Sequence, residues 1–120
     1  SDLLTIMQAC TNGTLEETEV KFADKHACCV ILASSGYPTS YKKGFEMSFT
    51  EEALAHTYVA GAKLENGKLV TSGGRVTGTT AVCNSLEEAI QEAYRISDGV
   101  KFEGAYRRSD IGQRALQALK

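Results

Sequence analysis

Glu65-Asn66-Gly67 lies between two strand-like runs, Tyr58 to Leu64 and Lys68 to Ser72, and constrains the chain more than any other short stretch. Asn-Gly supplies the positive φ angles of a two-residue primed turn, whose twist matches that of paired strands. A β-hairpin over these residues therefore commits the chain to antiparallel pairing. His26 to Ser34 (HACCVILAS) is a continuous apolar run of strand length and reads as a buried strand. A further strand is expected from Arg75 to Cys83, with an alternation broken by Gly78 and three threonines.

Between the first two strand signals, Gly36, Pro38 and Gly44 interrupt regular structure. Residues 34 to 44 read as a loop carrying Tyr37, Tyr41, Lys42 and Lys43. Thr50 can cap a short helix to His56, with Glu51 and Glu52 in its first turn. Ser85-Leu86-Glu87-Glu88 is a capping box, and Leu86, Ala89, Ile90, Ala93 and Tyr94 follow at helical spacing to about Ser97. Val100 to Tyr106 is expected as one more strand, and Asp110 as the cap of a last helix through Ala115, Leu116 and Leu119. At the N-terminus, Asp2 caps a helix bearing Leu3, Leu4, Ile6, Met7 and Cys10, which Gly13 stops.

With 120 residues, 42% of them hydrophobic and 23% charged, the chain can build one compact core. The fold class expected is α+β, a mainly antiparallel sheet flanked by helices, rather than a succession of βαβ units. The first helix has an apolar stripe too wide for its length and needs neighbours on several sides. Because the chain opens into it without Met, residues 1–25 are expected to close a preceding unit, with Lys21 to Lys25 as connector and residues 26–120 as the domain proper.

A net charge of −2 gives no long-range attraction to nucleic acid or an anionic membrane. No run of about 20 apolar residues is available to span a bilayer, and no signal peptide is legible, so a cytoplasmic location is expected. Cys10, Cys28, Cys29 and Cys83 form no CxxC pair with which to hold zinc beside His26 or His56, and read as buried free thiols. Walker A, GxGxxG, HExxH and Ser/His/Asp arrangements are missing.

The chemistry left to the chain is that of glycine and basic residues. In GAKLENGKLVTSGGRVTGTTA (Gly61 to Ala81), Lys63, Lys68 and Arg75 surround two glycine turns, a combination suited to phosphate. An ordinary solvated hairpin with surface lysines is the competing reading of the same pattern. Lys68 and Arg75 are seven residues apart, about 23 Å on a straight strand, and the odd offset sets them on opposite faces. Only a bend or bulge at Gly73-Gly74 would let them cooperate.

Three stretches, ASSGYPTSYKKGFE (Ala33 to Glu46), GAKLENGKLVTSGGRVTGTTAV (Gly61 to Val82) and KFEGAYRRSDIGQRAL (Lys101 to Leu116), closely resemble signature segments of the phosphoribosylamine glycine ligase family, in the same order. SDLLTIMQACTNGTLEE resembles the last helix of that family's ATP-grasp portion. The resemblance implies a C-terminal domain of an ATP-grasp ligase of purine biosynthesis. It further implies ATP and magnesium as requirements of the full-length enzyme, phosphoribosylamine and glycine as its substrates, and the upstream ATP-grasp domain as the chain's partner. The clamping and metal-binding residues of the family lie upstream, so no catalytic residue, metal site or cofactor is expected in this chain. Its expected substrate-binding residues are Lys68, Arg75, Gly73 and Gly74. The chain departs from the pattern at Val59, Ala62, Thr77, Thr79 and Arg107, which leaves Val59, Ala62 and Arg107 without an assigned role. Arg108 and Asp110 are expected to form an internal ion pair. A stand-alone binding module for a phosphorylated metabolite is the alternative, and a structural partner without ligand is a third reading.

Overall fold

Apolar residues at every second position of β1 (His26–Ser34) build the centre of the molecule. The computed structural model describes residues 1–119. Cys28, Val30 and Leu32 are buried, whereas Ala27 and Cys29 are exposed, so one edge of the β1 pleat faces a core and the other does not. β1 pairs antiparallel with β6 (Arg75–Cys83), and the directly opposed pairs Cys28–Ala81, Val30–Thr79 and Leu32–Thr77 share the core face. β3 (Thr57–Val59) adds to the far edge of β6, and β8 (Ala105–Tyr106) to the end of β1, giving the order β3-β6-β1-β8.

The core face is covered by α3 (Leu86–Ser97), where Ala89, Ile90, Ala93 and Ile96 are buried at i, i+3, i+4, i+7 spacing. The capping box forms as expected: the Ser85 hydroxyl accepts from Glu88 N, and Ser85 N donates to the Glu88 carboxylate. α2 (Glu51–His56) starts at the Thr50 cap and buries Ala53 against the same cluster. β2 (Ser48–Phe49) pairs with β7 (Val100–Lys101), and α4 (Gln113–Ala118) closes the described chain. α1 (Leu3–Asn12) and a single 3-10 turn (Leu15–Glu17) precede the sheet.

Five sequence expectations are corrected. The run Tyr58 to Leu64 is two strands, because Ala60 and Gly61 donate to Arg75 and Val76 carbonyls and turn the chain out of the main sheet. The Asn66-Gly67 hairpin itself forms between β4 (Ala62–Glu65) and β5 (Lys68–Thr71), with positive φ at both turn residues, but as a separate two-stranded ribbon. Val100 to Tyr106 splits at a turn, since Gly104 takes a positive φ and Ala105 N returns to Phe102 O. Asp110 does not cap α4 by its side chain: Arg108 occupies its carboxylate, and Gly112, packed against Ile90 where a Cβ would meet a side-chain atom at 2.4 Å, stands at the cap. Among the free thiols only Cys28 is buried; Cys83 is intermediate, and Cys10 and Cys29 are exposed.

Candidate functional site

Arg75 owes its direction to one extra residue. The β1–β6 register runs without a break from His26–Cys83 to Leu32–Thr77 and then jumps to Ala33–Arg75, so Val76 has no partner of its own. Strict alternation would place Arg75 on the same face as Thr77, in the core beneath α3. The bulge turns both Val76 and Thr77 inward, fully buried, and sends Arg75 to the opposite face beside Ala33. The sequence pointed to a bulge at Gly73-Gly74; it lies two residues further on.

The glycines perform a different task. A Cβ on Gly61 would meet Arg75 O at 2.5 Å and Gly73 Cα at 2.8 Å, so the two backbones cross in contact here. Gly61 O accepts from Ser72 N at 2.7 Å and from Gly73 N at 3.0 Å, and Gly61 N donates to Arg75 O at 2.9 Å. Gly74 is buried beneath Tyr37, where a Cβ would come within 2.1 Å of the ring. Ser34, at the end of β1, holds the pair from below: its N donates to Gly74 O at 2.8 Å and its hydroxyl to Gly73 O at 2.9 Å. The N–H of Gly73 is thus spent within the chain.

Arg75 emerges from this knot at the junction of two open clefts. One, of about 400 Å³, has an apolar floor that includes Cys29 and Ile31 and is edged by Tyr37, Tyr106, Arg75 and Arg108. The other, of about 490 Å³, lies toward Gly61 and Thr77 and shares Tyr37 and Arg75 with the first. Among the described residues Arg75 forms no ion pair, whereas Lys68, Arg95, Arg107 and Arg108 each do. A fixed positive charge beside open space and without an internal counter-charge is equipped to take an anion.

Lys68 is placed elsewhere. It stands on the ribbon, exposed, with its ammonium 2.8 Å from the Glu46 carboxylate, and it lines neither cleft that Arg75 lines. The structure thus brings Arg75, Gly73 and Gly74 together and leaves Lys68 apart. Lys63 likewise pairs with Glu65 at 3.1 Å on the same ribbon. Arg108 and Asp110 form the expected pair in two-pronged geometry, 2.8 and 2.6 Å. This contact holds the Asp110 carboxyl below the usual carboxylate range.

Arg107 had no role legible in sequence. Its guanidinium donates to Tyr94 O at 3.2 Å, to Asp98 at 2.7 Å and to the Ser97 hydroxyl, and lies over the Tyr94 ring at 5.1 Å. It therefore satisfies carbonyl and side-chain acceptors at the C-terminal end of α3, where a cation is favoured. Tyr94 completes the fastening, its hydroxyl donating to Arg108 O at 2.6 Å and accepting from Ile111 N at 3.0 Å. Residues 107 to 111, which wall the cleft floored by Cys29 and Ile31, are fixed by that pair. A tyrosine on the apolar face of α3 was the only signal in the sequence. Among the described residues no group of three His, Cys, Asp or Glu is placed to hold a metal ion.

A family model described as phosphoribosylglycinamide synthetase, C domain, matches residues 27–114. The chain belongs to that family. It is 47% identical over 112 residues to a phosphoribosylamine–glycine ligase of Caldanaerobacter subterraneus, covering 92% of this chain and 27% of the relative. A bifunctional purine biosynthetic protein of Pichia angusta is 42% identical over 120 residues, 98% of this chain and 15% of that protein. The crystal structure of a phosphoribosylamine–glycine ligase from Thermotoga maritima superposes with a TM-score of 0.66 at 42% identity, over 71% of this chain and 21% of that one. The chain therefore spans about a quarter of the length of its single-function relatives. The mixed architecture, antiparallel sheets flanked by helices, is that of the C-domain family.

Proposed function

We propose that this chain is the C-terminal part of an ADP-forming ligase that joins glycine to phosphoribosylamine, and that Arg75 binds the phosphate of phosphoribosylamine. In that reaction ATP activates the glycine carboxylate as an acyl phosphate, and the substrate amine displaces phosphate to give glycinamide ribonucleotide. ATP and magnesium belong to the upstream portion of the enzyme, which residues 1–25 close and against which residues 26–120 form a wall in the cytoplasmic protein. This chain's share of the work is binding and orientation: a guanidinium holds the phosphate end so that the amine is presented to the activated carboxylate.

The single observation that carries this reading is the Arg75 guanidinium, turned out of the core by a bulge, facing two clefts and bound to no carboxylate among the described residues. Lys68 assists only by exchanging Glu46 for the ligand, so its contribution is the smaller one. A charge-assisted contact typically contributes about 1.5 to 3 kcal/mol, roughly a 10- to 100-fold change in KM when it is equal in ground and transition states. In the intact ligase Arg75→Ala should raise the KM for phosphoribosylamine by that factor and leave those for ATP and glycine nearly unchanged. Lys68→Ala should act in the same direction more weakly. An unaltered phosphoribosylamine KM in Arg75→Ala removes the phosphate assignment and returns the segment to an ordinary hairpin. The chain by itself should form no ADP from ATP, glycine and phosphoribosylamine.

A further inference from the structure

We infer that Ser34 is a positioning residue for Arg75, clamping the glycine pair that carries the guanidinium to the clefts. The inference rests on the reading of Arg75 given above and extends it to a residue outside the glycine and arginine motif. Ser34 is 3% exposed, yet it is polar and ends the central strand. Both of its donors are committed to adjacent carbonyls, the hydroxyl to Gly73 and the backbone N–H to Gly74. These are the two residues directly before Arg75.

The clamp acts on two adjacent carbonyls of the turn at once. Gly73 and Gly74 lack side chains, and glycine loses more backbone freedom on folding than any other residue. From above, the turn is limited by contact with Gly61 and Tyr37. From the side it is held by the bonds between Gly61 and residues 72, 73 and 75. Ser34 supplies the floor, and it belongs to the rigid β1 strand rather than to a loop. The next residue inward, Ala33, is the register partner of Arg75, so the clamp and the bulge fix the same short segment from two consecutive positions of one strand. A guanidinium held to within a fraction of an ångström takes a phosphate in two-pronged geometry, and one that wanders does not.

Removal of the hydroxyl leaves Gly73 O without its partner and loosens the turn, while Arg75 itself is untouched. Ser34→Ala in the intact ligase should therefore raise the KM for phosphoribosylamine about three- to tenfold, with kcat and the constants for ATP and glycine retained. The decisive measurement is a double-mutant cycle with Arg75→Ala. If Ser34 acts through the guanidinium, its penalty disappears in the Arg75→Ala background. Ser34→Thr, which keeps the hydroxyl, is read in the same cycle and should retain the phosphoribosylamine KM that Ser34→Ala loses, so that a Ser34→Ala variant that fails to fold does not decide the matter. A Ser34→Ala effect that persists in full beside Arg75→Ala, or that falls equally on all three substrates, overturns the positioning role while the Arg75 assignment stands. An Arg75→Ala enzyme with an unchanged phosphoribosylamine KM overturns both.

Discussion

Helices α1 and α3 are written with the same local grammar and have opposite fates. Each begins at a side-chain cap, Asp2 accepting from Thr5 N and Ser85 from Glu88 N, and each carries apolar residues at helical spacing. α1 also ends cleanly, on Gly13 in the left-handed region. Yet α3 buries five residues against the sheet, whereas α1 buries only Ala9 and leaves Leu3, Leu4 and Met7 at 66%, 62% and 59% exposure. The connector behind it is no better covered, with Phe22 at 92%. The ties seen here stay within the N-terminal segment: the Ser1 ammonium donates to Lys21 O at 2.7 Å, and Thr14 N to Ala9 O at 2.9 Å. Caps and periodicity decide that a helix forms; apolar surface elsewhere decides where it rests and how much it stabilises.

The comparison is broken most directly by matched truncations. Leu32→Ala, in the middle of the core, should cost about 2 to 5 kcal/mol through lost burial and the cavity left behind. Leu4→Ala should stay within about 0.5 kcal/mol, as for an exposed site. Chemical denaturation of the chain measures both. Equal losses would mean that α1 belongs to the same cooperative unit as the sheet. Strong amide-exchange protection of residues 3 to 10 in a demonstrated monomer would say the same.

Smaller effects sharpen the comparison within the sheet unit. Ser85→Ala should lower stability by about 1 kcal/mol, the usual value of a side-chain cap. Thr77→Val should do the reverse. The Thr77 hydroxyl is wholly buried without a hydrogen-bond partner among the described residues, while the neighbouring Thr79 hydroxyl is satisfied by Thr57 at 2.9 Å. Removal of an unpaired buried hydroxyl at constant volume should raise stability by about 1 kcal/mol. A destabilised Thr77→Val protein would mean that the hydroxyl has a partner in solution.

Elements whose cause is local were legible in the sequence: the strands His26–Ser34 and Arg75–Cys83, the capping box, the Thr50 cap and the Asn-Gly turn. What escaped depends on residues far apart in the chain. The break at Ala60-Gly61 exists because another backbone, Gly73 to Arg75, passes within contact distance. Gly78, which spoils the alternation of its strand, is small because Cys29 and Ile31 of β1 occupy the space of its missing Cβ. The candidate site was half legible. The arginine after two glycines could be picked out by type, but the extra residue that aims it is Val76, an ordinary strand former with no sequence mark. Lys68 looked equivalent to Arg75 by charge, and Glu46, 22 residues away, is what separates them.

The smallest expected effect is on pH dependence, and it distinguishes the two regions by a different coordinate. Hydrogen bonds and charge from Arg95, which bridges α2 and α3, hold the Glu52 and Glu92 carboxyls below their ordinary range. In α1 the Asp2 carboxyl is lowered too, chiefly by the backbone N–H of Thr5 that it caps. A carboxyl depressed in the folded state adds stability above its unfolded value and loses it as pH falls through the folded one. All three should therefore act at neutral pH and fade below about pH 4. Because they are exposed, salt should flatten the response. The readout is where the two losses appear. Glu52→Gln removes a carboxylate that ties α2 to the sheet unit, so it should reduce the acid slope of the global unfolding midpoint. Asp2→Ala should leave that slope unchanged and instead speed amide exchange in residues 3 to 6, since the cap serves a helix that the core does not hold. If Asp2→Ala shifts the global acid limb as much as Glu52→Gln does, the N-terminal helix and the sheet unfold together, and the distinction between them fails.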